Sequence, residues 1–358
     1  MARPQVRDDV ALMDGYHSPQ LDVAIRLNTN EAPEPPPQGF RDRVAEAVQA
    51  IEWHRYPSRA AGELRSRIAQ VEGVQADQVF AANGSNEVLQ TVMLSYGGAG
   101  RTALTFEPTY ALHAHISKMC GTRVVEGERT DDFGLDLDEV ARLISSERPA
   151  VTFLCSPNNP TGMIETPETI SAVLEMVHAV DGLLVVDEAY GQFSPWSALS
   201  LVGDDNSLIV TRTYSKTWSM AAARLGYGVA PAWLIDELDK VVLPYHLDAA
   251  KQVAGIVALD YLDEMAARVA SLVEERGRVT AALDELEVDQ WASGANFVLF
   301  RPRTLSGTDV WQALVDRSIL VRNCASWPRL DNCLRLTLGT PDENTAFLSA
   351  LTDILEPR

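Results

Sequence analysis

Residues 208–218 read Leu-Ile-Val-Thr-Arg-Thr-Tyr-Ser-Lys-Thr-Trp, and this stretch carries the strongest signal in the chain. An apolar strand leads into three hydroxyl side chains, at Thr211, Thr213 and Ser215, and then into Lys216. Arg224 follows eight residues after the lysine, just before a second apolar stretch at 225–229. The stretch therefore combines a candidate amine nucleophile with side chains that can bind a phosphate.

Apolar strands alternate with helical periods on both sides of this stretch, from about residue 39 to residue 245. The predicted strands are 79–81, 103–106, 124–125, 151–154, 183–186, 208–210 and 226–229. One of the helices, at 171–180, is introduced by Thr166 as its N-cap and by Pro167 at the first helical position. This α/β alternation predicts a mostly parallel, seven-stranded sheet covered by helices on both faces.

The length of 358 residues predicts two domains and an N-terminal arm. Residues 1–38 form the arm with part of the small domain, residues 39–245 the large domain, and residues 246–358 a smaller α+β domain. In the small domain we expect a long helical stretch at 249–286, broken or bent near Gly277. Further elements are expected at 297–300, 309–317, 319–321, 334–338 and 343–355. A ligand site is expected at the seam of the domains.

Composition limits the partners. Fifty acidic and thirty basic residues give a formal charge of −20, which argues against nucleic acid and anionic membranes. The four cysteines lack CxxC spacing, and no apolar run is long enough to span a bilayer, so we expect reduced thiols and a cytoplasmic location. His113 and His115 have no metal-site spacing, and no metal is expected.

Lys216 gains meaning from four other segments, since a single lysine is usually a solvated surface charge. The turn Asn83–Glu87 could bind a phosphate at a helix start, or could simply cap that helix. Asp187, at the carboxyl end of a buried strand, could pair with a protonated pyridine nitrogen, or could cap a following helix. Asn159 and Tyr110 each follow another predicted strand and offer an amide donor and an aromatic face. Together these parts favour pyridoxal phosphate as cofactor.

In this order the segments resemble the fold-type I pyridoxal-phosphate-dependent aminotransferases, and within them the histidinol-phosphate aminotransferases. The resemblance extends over nearly the whole chain, through residues 26–31, 54–57, 83–87, 108–110, 156–162, 186–190, 213–216, 224 and 334–340. Two stretches, 217–223 and 324–329, depart from the family's pattern.

The resemblance implies a role for each matching residue. Lys216 would bind the cofactor as a Schiff base, Asp187 would pair with the pyridine nitrogen, and Tyr190 would complete the catalytic set. Asn159 and Tyr190 would bind the ring oxygen, and Tyr110 would stack on the ring. The phosphate ligands would be Ser85, Asn86, Thr213, Ser215, Arg224 and, from the partner of a homodimer, Tyr56. Substrate would be bound by Tyr16, Asn30, Arg322 and Arg335.

The implied reaction is the transfer of an amino group from histidinol phosphate to 2-oxoglutarate, with glutamate as product. An aromatic amino-acid aminotransferase, acting on phenylalanine or tyrosine, is the alternative. A decarboxylase of a phosphorylated amino acid and a cofactor-binding regulatory module are weaker readings. Arg322 and Arg335 could also form cross-strand ion pairs in so acidic a chain.

Overall fold

The computed structural model describes residues 3–13, 15 and 21–356; Tyr16 lies outside them. The helices are α1 (Asp8–Ala11), α2 (Gln38–Gln49), α3 (Gly62–Glu72), α4 (Ser85–Tyr96), α5 (Leu112–Met119), α6 (Leu137–Glu147), α7 (Pro167–His178), α8 (Ala232–Val241), α9 (Ala249–Ala258), α10 (Leu262–Asp284), α11 (Gly307–Val315) and α12 (Pro341–Leu355). The strands are β1 (Ile25–Leu27), β2 (Val79–Ala82), β3 (Thr102–Glu107), β4 (Arg123–Glu128), β5 (Val151–Cys155), β6 (Leu183–Asp187), β7 (Leu208–Thr213), β8 (Gly226–Val229), β9 (Val288–Gln290), β10 (Phe297–Pro302), β11 (Ile319–Asn323) and β12 (Leu334–Thr337). None of the described helices is both long enough and apolar enough to cross a bilayer.

Seven strands form the larger sheet, in the order β2-β8-β7-β6-β5-β3-β4. β8 runs antiparallel to β2 and β7, and the other pairs are parallel, which confirms the predicted mostly parallel sheet. Every residue of β5, β6 and β7 is buried because helices cover both faces. Asp187 and Thr213 end two adjacent strands, so their side chains meet at one edge of the sheet.

A five-stranded sheet, in the order β1-β11-β12-β10-β9, forms the second part of the molecule. β1 comes from the N-terminal arm and pairs in parallel with β11, from Ile25 opposite Ile319 to Leu27 opposite Val321. Residues 28–31 follow β1 directly. The arm thus belongs to the second sheet and continues from it into the region between the sheets, where Asn28 to Glu31 line a cavity.

The helical stretch predicted at 249–286 consists of two helices, and its predicted break near Gly277 is wrong. α9 ends at Ala258, α10 begins at Leu262, and α10 then runs unbroken through Gly277. A glycine inside a helix costs only about 1 kcal/mol relative to alanine, which a 23-residue helix tolerates. At the actual break Asp260 forms ion pairs with Arg43 of α2 and Arg67 of α3.

The predicted domain limits remain a prediction. α9 begins just after the boundary placed at residue 245, yet its apolar side packs in one hydrophobic cluster with residues of α2, α3 and β2. Thr166, in contrast, is confirmed as the N-cap of α7, since its hydroxyl accepts a hydrogen bond from Thr169 N at 3.1 Å.

Candidate active site

A cavity of about 330 Å³ is lined by residues of both sheets. All predicted site residues except Tyr16 and Tyr56 line it: Asn30, Ser85, Asn86, Tyr110, Asn159, Asp187, Tyr190, Thr213, Ser215, Lys216, Arg224, Arg322 and Arg335. They come from segments more than 300 residues apart in the chain, namely the arm, the sheet edge and the C-terminal strands. The fold therefore brings the predicted set together at the seam.

Lys216 follows β7, and its Nζ donates a hydrogen bond to the carbonyl oxygen of Thr29 at 3.2 Å. The pKa of Lys216 is lowered from 10.5 to about 7, first because the amine is removed from bulk water and next because of the positive charge of Arg335. Glu31 opposes the shift, and Arg224 adds a smaller lowering effect. A large share of the side chain is thus a neutral amine near pH 7, as a nucleophile or base requires.

The turn before α4 is shaped for an anion. Gly84 has a left-handed φ of 79° and is itself the N-cap of α4, which begins at Ser85, so neither Ser85 nor Asn86 occupies the cap position. Opposite the turn, Arg224 donates from Nη1 to Ser215 Oγ at 3.1 Å, and Thr213 Oγ1 donates to the same oxygen at 2.9 Å. Helix N–H groups, two hydroxyls and a guanidinium converge as a phosphate site requires.

Close backbone packing holds this turn in place. A Cβ added to Gly226 of β8 would lie 2.4 Å from the backbone nitrogen of Ser85, and one added to Gly84 would lie 2.9 Å from Nη2 of Arg224. The backbone contact at Gly226 excludes any side chain there, and the left-handed φ of Gly84 favours glycine in the turn.

Asp187 is buried at the end of β6, and both of its carboxylate oxygens accept hydrogen bonds. Oδ1 accepts from Thr211 Oγ1 and from Ala189 N, each at 3.1 Å. Oδ2 lies 3.1 Å from Nε2 of His113, a buried ring stacked on Phe153. No α-helix begins after Asp187 before α8, so the alternative of a helix cap is wrong. The carboxylate is held at the cavity wall by three donors.

The contact of His113 with Asp187 is not among the sequence predictions, which consider His113 only as a metal ligand. Tyr110 and His113 lie three residues apart in the turn that leads into α5, where His113 N donates to the carbonyl oxygen of Tyr110, and their rings are edge to face at 5.4 Å. That i, i+3 spacing is the signal in the sequence that could have placed His113 beside the predicted cofactor ring.

The side chains that alternate with these residues point away from the cavity. Because successive residues of a strand face opposite sides, Glu188 and Arg212 lie on the far side from Asp187 and Thr213. There Arg212 pairs with Glu188 at 3.0 Å and with Glu72 of α3 at 2.9 Å. This buried ion cluster ties the ends of β6 and β7 together below the site.

Arg335, in β12, spans the seam of the two sheets. It donates from Nη1 to Asn159 Oδ1 and from Nη2 to the carbonyl oxygen of Asn28, the latter at 2.9 Å. Within the described residues Arg335 makes no ion pair, and its Nε has no hydrogen-bond partner. Among the described residues, therefore, Arg335 does not form the cross-strand ion pair that was the alternative expectation. A buried, unpaired guanidinium beside a cavity favours an anionic ligand.

Asn30 and Tyr190 form a second contact between the sheets. Asn30 Nδ2 donates to the phenol oxygen of Tyr190 at 2.8 Å, and its Oδ1 accepts from Thr337 at 2.9 Å. Burial raises the pKa of Tyr190 to about 12, so its hydroxyl keeps its proton at neutral pH. The geometry gives Asn30 a part in orienting Tyr190; its predicted contact with substrate stays a prediction.

Two predicted residues lie elsewhere. Tyr16 falls outside the described residues. Tyr56 does not line the cavity; its side chain is 80% exposed and its ring stacks on Tyr245, with centroids 4.6 Å apart. Its predicted role, a contact with the phosphate of a partner subunit, is one that a single chain does not test.

Comparisons with known proteins identify the family of the chain. Residues 22–351 match the family model "Aminotransferase class I and II". The chain is 43% identical to the histidinol-phosphate aminotransferase of Frankia casuarinae, covering 97% of this chain and 89% of the relative. It is 42% identical to that of Mycobacterium marinum, covering 96% and 91%.

Solved structures share the fold. The histidinol-phosphate aminotransferase of Sinorhizobium meliloti, solved in complex with pyridoxal-5'-phosphate, superposes with a TM-score of 0.89 at 21% identity, covering 99% of this chain and 98% of that one. The fold is thus confirmed as fold-type I. The chain therefore belongs to the class I and II aminotransferase family, among the histidinol-phosphate aminotransferases that it matches over nearly its whole length.

Proposed function

We propose that the chain is a pyridoxal-phosphate-dependent aminotransferase that transfers the amino group of histidinol phosphate to 2-oxoglutarate, giving imidazole-acetol phosphate and glutamate. The observation that carries the proposal is the lowered pKa of Lys216, about 7, inside a cavity that also has a phosphate site and a held carboxylate. The choice of substrate is supported by the relatives of that name, at 43% and 42% identity.

The residues of the cavity fit pyridoxal phosphate in charge and in chemistry. The turn at Gly84, with Ser215 and Arg224, would hold the phosphate. Asp187 would hold the ring nitrogen, and Asn159 with Tyr190 the ring oxygen. When bound, the cofactor supplies an aldehyde that attaches amines covalently and a ring that withdraws electrons from the substrate Cα.

The chain's own residues supply the binding and the proton transfer. Lys216, as a neutral amine, could accept and hold the proton of the substrate Cα on its Nζ. Asp187, fixed by its three hydrogen bonds, would hold its carboxylate at the ring nitrogen without reorganising during the reaction. Tyr190 retains its proton and can donate to the ring oxygen.

Two arginines would receive the anionic groups of both substrates. Histidinol phosphate carries a phosphate and no carboxylate, whereas glutamate carries two carboxylates, so the same pocket must bind both kinds of anion in turn. Arg322 and Arg335 face one cavity, and a guanidinium binds either anion through paired hydrogen bonds.

We also propose that the active form is a cytoplasmic homodimer. Tyr56 and Trp53 are exposed by 80% and 70%, and Tyr245 next to them by 41%, so the face that carries Tyr56 offers aromatic area to a second copy. The four cysteines carry free thiols, as in a reducing compartment.

A substrate panel on the purified holoenzyme tests the function. Histidinol phosphate and phenylalanine are each supplied with 2-oxoglutarate, and glutamate formation and carbon dioxide release are measured. The proposal expects glutamate from histidinol phosphate at a far higher kcat/KM than from phenylalanine. Preference for phenylalanine would assign the chain to aromatic amino acids, and carbon dioxide release without an oxo acid would make it a decarboxylase.

A further inference from the structure

Residues 324–333, here named the tryptophan loop, connect β11 to β12 and bring Trp327 to the wall of the cavity. Its first part, 324–329, is one of the two stretches that depart from the family's pattern, and the proposed function assigns it no role. The Cζ atom of Arg322 lies 5.5 Å from the ring centre of Trp327, and both side chains line the same cavity. A guanidinium is attracted to the face of an indole, most strongly where water is partly excluded. Trp327 therefore restricts the positions that the Arg322 guanidinium can occupy in the cavity.

Buried anchors and short turns hold the tryptophan loop in shape. Cys324 N donates to the carbonyl oxygen of Cys333 at 3.0 Å, and Trp327 N donates to that of Cys324 at 2.9 Å. Cys324, Leu330 and Cys333 have no exposed surface and pack in one cluster with Phe133. Trp327 is thus carried by an anchored loop, and its ring position is defined.

Arg329 ties the tryptophan loop to the large sheet. Its Nη2 lies 2.6 Å from Oδ1 of Asp131, and its Nη1 donates to the carbonyl oxygen of Arg129. Arg129 follows β4 directly and is itself buried in an ion pair with Glu165. Contacts on both sides of the seam therefore set the position of Trp327.

We propose that Trp327 is a positioning residue that holds Arg322 for the distal phosphate of the amino donor and so sets the preference for phosphorylated over unphosphorylated amines. The inference rests on the proposed function, in which that phosphate belongs to histidinol phosphate. Trp327 acts through Arg322 and needs no contact with the substrate. A tryptophan that stacked on the substrate's flat ring would instead affect both amines alike.

The test compares kcat/KM for histidinol phosphate and for histidinol, which has the same ring and amine without the phosphate. In the Trp327→Leu holoenzyme we expect about a 10-fold loss with histidinol phosphate, mainly in KM, and no change with histidinol. Trp327→Phe keeps an aromatic face and should retain most of the preference. Arg329→Gln should act in the same direction but only about 2-fold, because its ion pair is partly exposed. Equal losses with both amines, or an unchanged preference in Trp327→Leu, overturn the proposal.

A second measurement separates this inference from the proposed function. If the wild-type enzyme does not use histidinol phosphate, the proposed function fails on that result alone. The positioning role is then tested by competitive inhibition with inorganic phosphate, against whichever amino donor the holoenzyme accepts. The Ki for phosphate should rise in Trp327→Leu and stay near the wild-type value in Trp327→Phe; an unchanged Ki in Trp327→Leu contradicts the role.

Discussion

Replacing His113 by phenylalanine should weaken cofactor binding, although His113 has no predicted contact with the cofactor. His113 Nε2 is the one donor to Oδ2 of Asp187 among the described residues, at 3.1 Å. Phenylalanine keeps a flat ring that can stack on Phe153, as the imidazole does at 4.9 Å, and removes the donor. Asp187 then keeps its two donors on Oδ1 and loses the restraint on the other oxygen.

The magnitude follows from the kind of bond lost. A hydrogen bond to a charged group is worth about 1.5–3 kcal/mol. Its loss would raise the Kd for pyridoxal phosphate by a factor between about 10 and 150. These factors are upper limits, because the cofactor-free protein loses the same hydrogen bond and the Kd reports only the difference between the two states. The assay is titration of the cofactor-free enzyme with pyridoxal phosphate, followed by the absorbance of the bound form.

Two threonines, on the strands β7 and β5 that flank β6, provide a matched control. Thr211 and Thr152 are both fully buried, but Thr211 donates to Asp187 whereas the hydroxyl of Thr152 has no partner among the described residues. Thr211→Val should weaken cofactor binding as His113→Phe does, and Thr152→Val should not. If His113→Phe binds the cofactor as tightly as the wild type, the reasoning about Asp187 is refuted.

Three further predictions concern the anion turn, the long helix and the pH dependence of stability. Gly226→Ala should abolish tight cofactor binding, because its Cβ would lie 2.4 Å from the nitrogen of Ser85; normal affinity in a titration would contradict the packing described. Gly277→Ala, on α10 with no atom within 4 Å of the new Cβ, should raise the free energy of unfolding by about 0.5–1 kcal/mol in urea denaturation and leave kcat unchanged. The pKa of Lys216 is lower in the folded protein, about 7, than its usual 10.5. Between about pH 7 and pH 10 the unfolded chain therefore binds one more proton at this lysine than the folded protein does, and the free energy of unfolding rises with pH. The cofactor-free wild type should therefore gain stability relative to Lys216→Met across that range; a constant difference would mean that the pKa is not lowered.

The larger sheet could be predicted because buried parallel strands are continuous apolar runs. The segments 151–154, 183–186 and 208–210 have that form, and each is a fully buried strand. β1 and β9 have three residues each and carry no comparable run, so they were missed. The end of α9 was also missed, because ion pairs of Asp260 with Arg43 and Arg67 hold the chain there and no glycine or proline marks it.

In the site, too, the sequence predicts the local features but not the long-range contacts. The cofactor-binding residues around Lys216 could be predicted from their types, because a phosphate, an amine and a ring nitrogen each require a specific binding partner. The contact of His113 with Asp187 joins residues 74 positions apart, and the charge that most lowers the pKa of Lys216 comes from Arg335 in the other sheet. Sequence spacing predicts neither, since both depend on how the two sheets meet.

The central claim is that Lys216 holds the cofactor covalently, and the chain offers a direct test because it has four lysines: Lys118, Lys216, Lys240 and Lys251. Lys118 and Lys240 lie in exposed ion pairs, and Lys251 is paired with Asp248. The holoenzyme is reduced with borohydride, digested, and its peptides are analysed by mass spectrometry. We predict that the cofactor mass is found on the peptide containing Lys216 and on no other lysine. Attachment to Lys118, Lys240 or Lys251, or no attachment at all, would contradict the account.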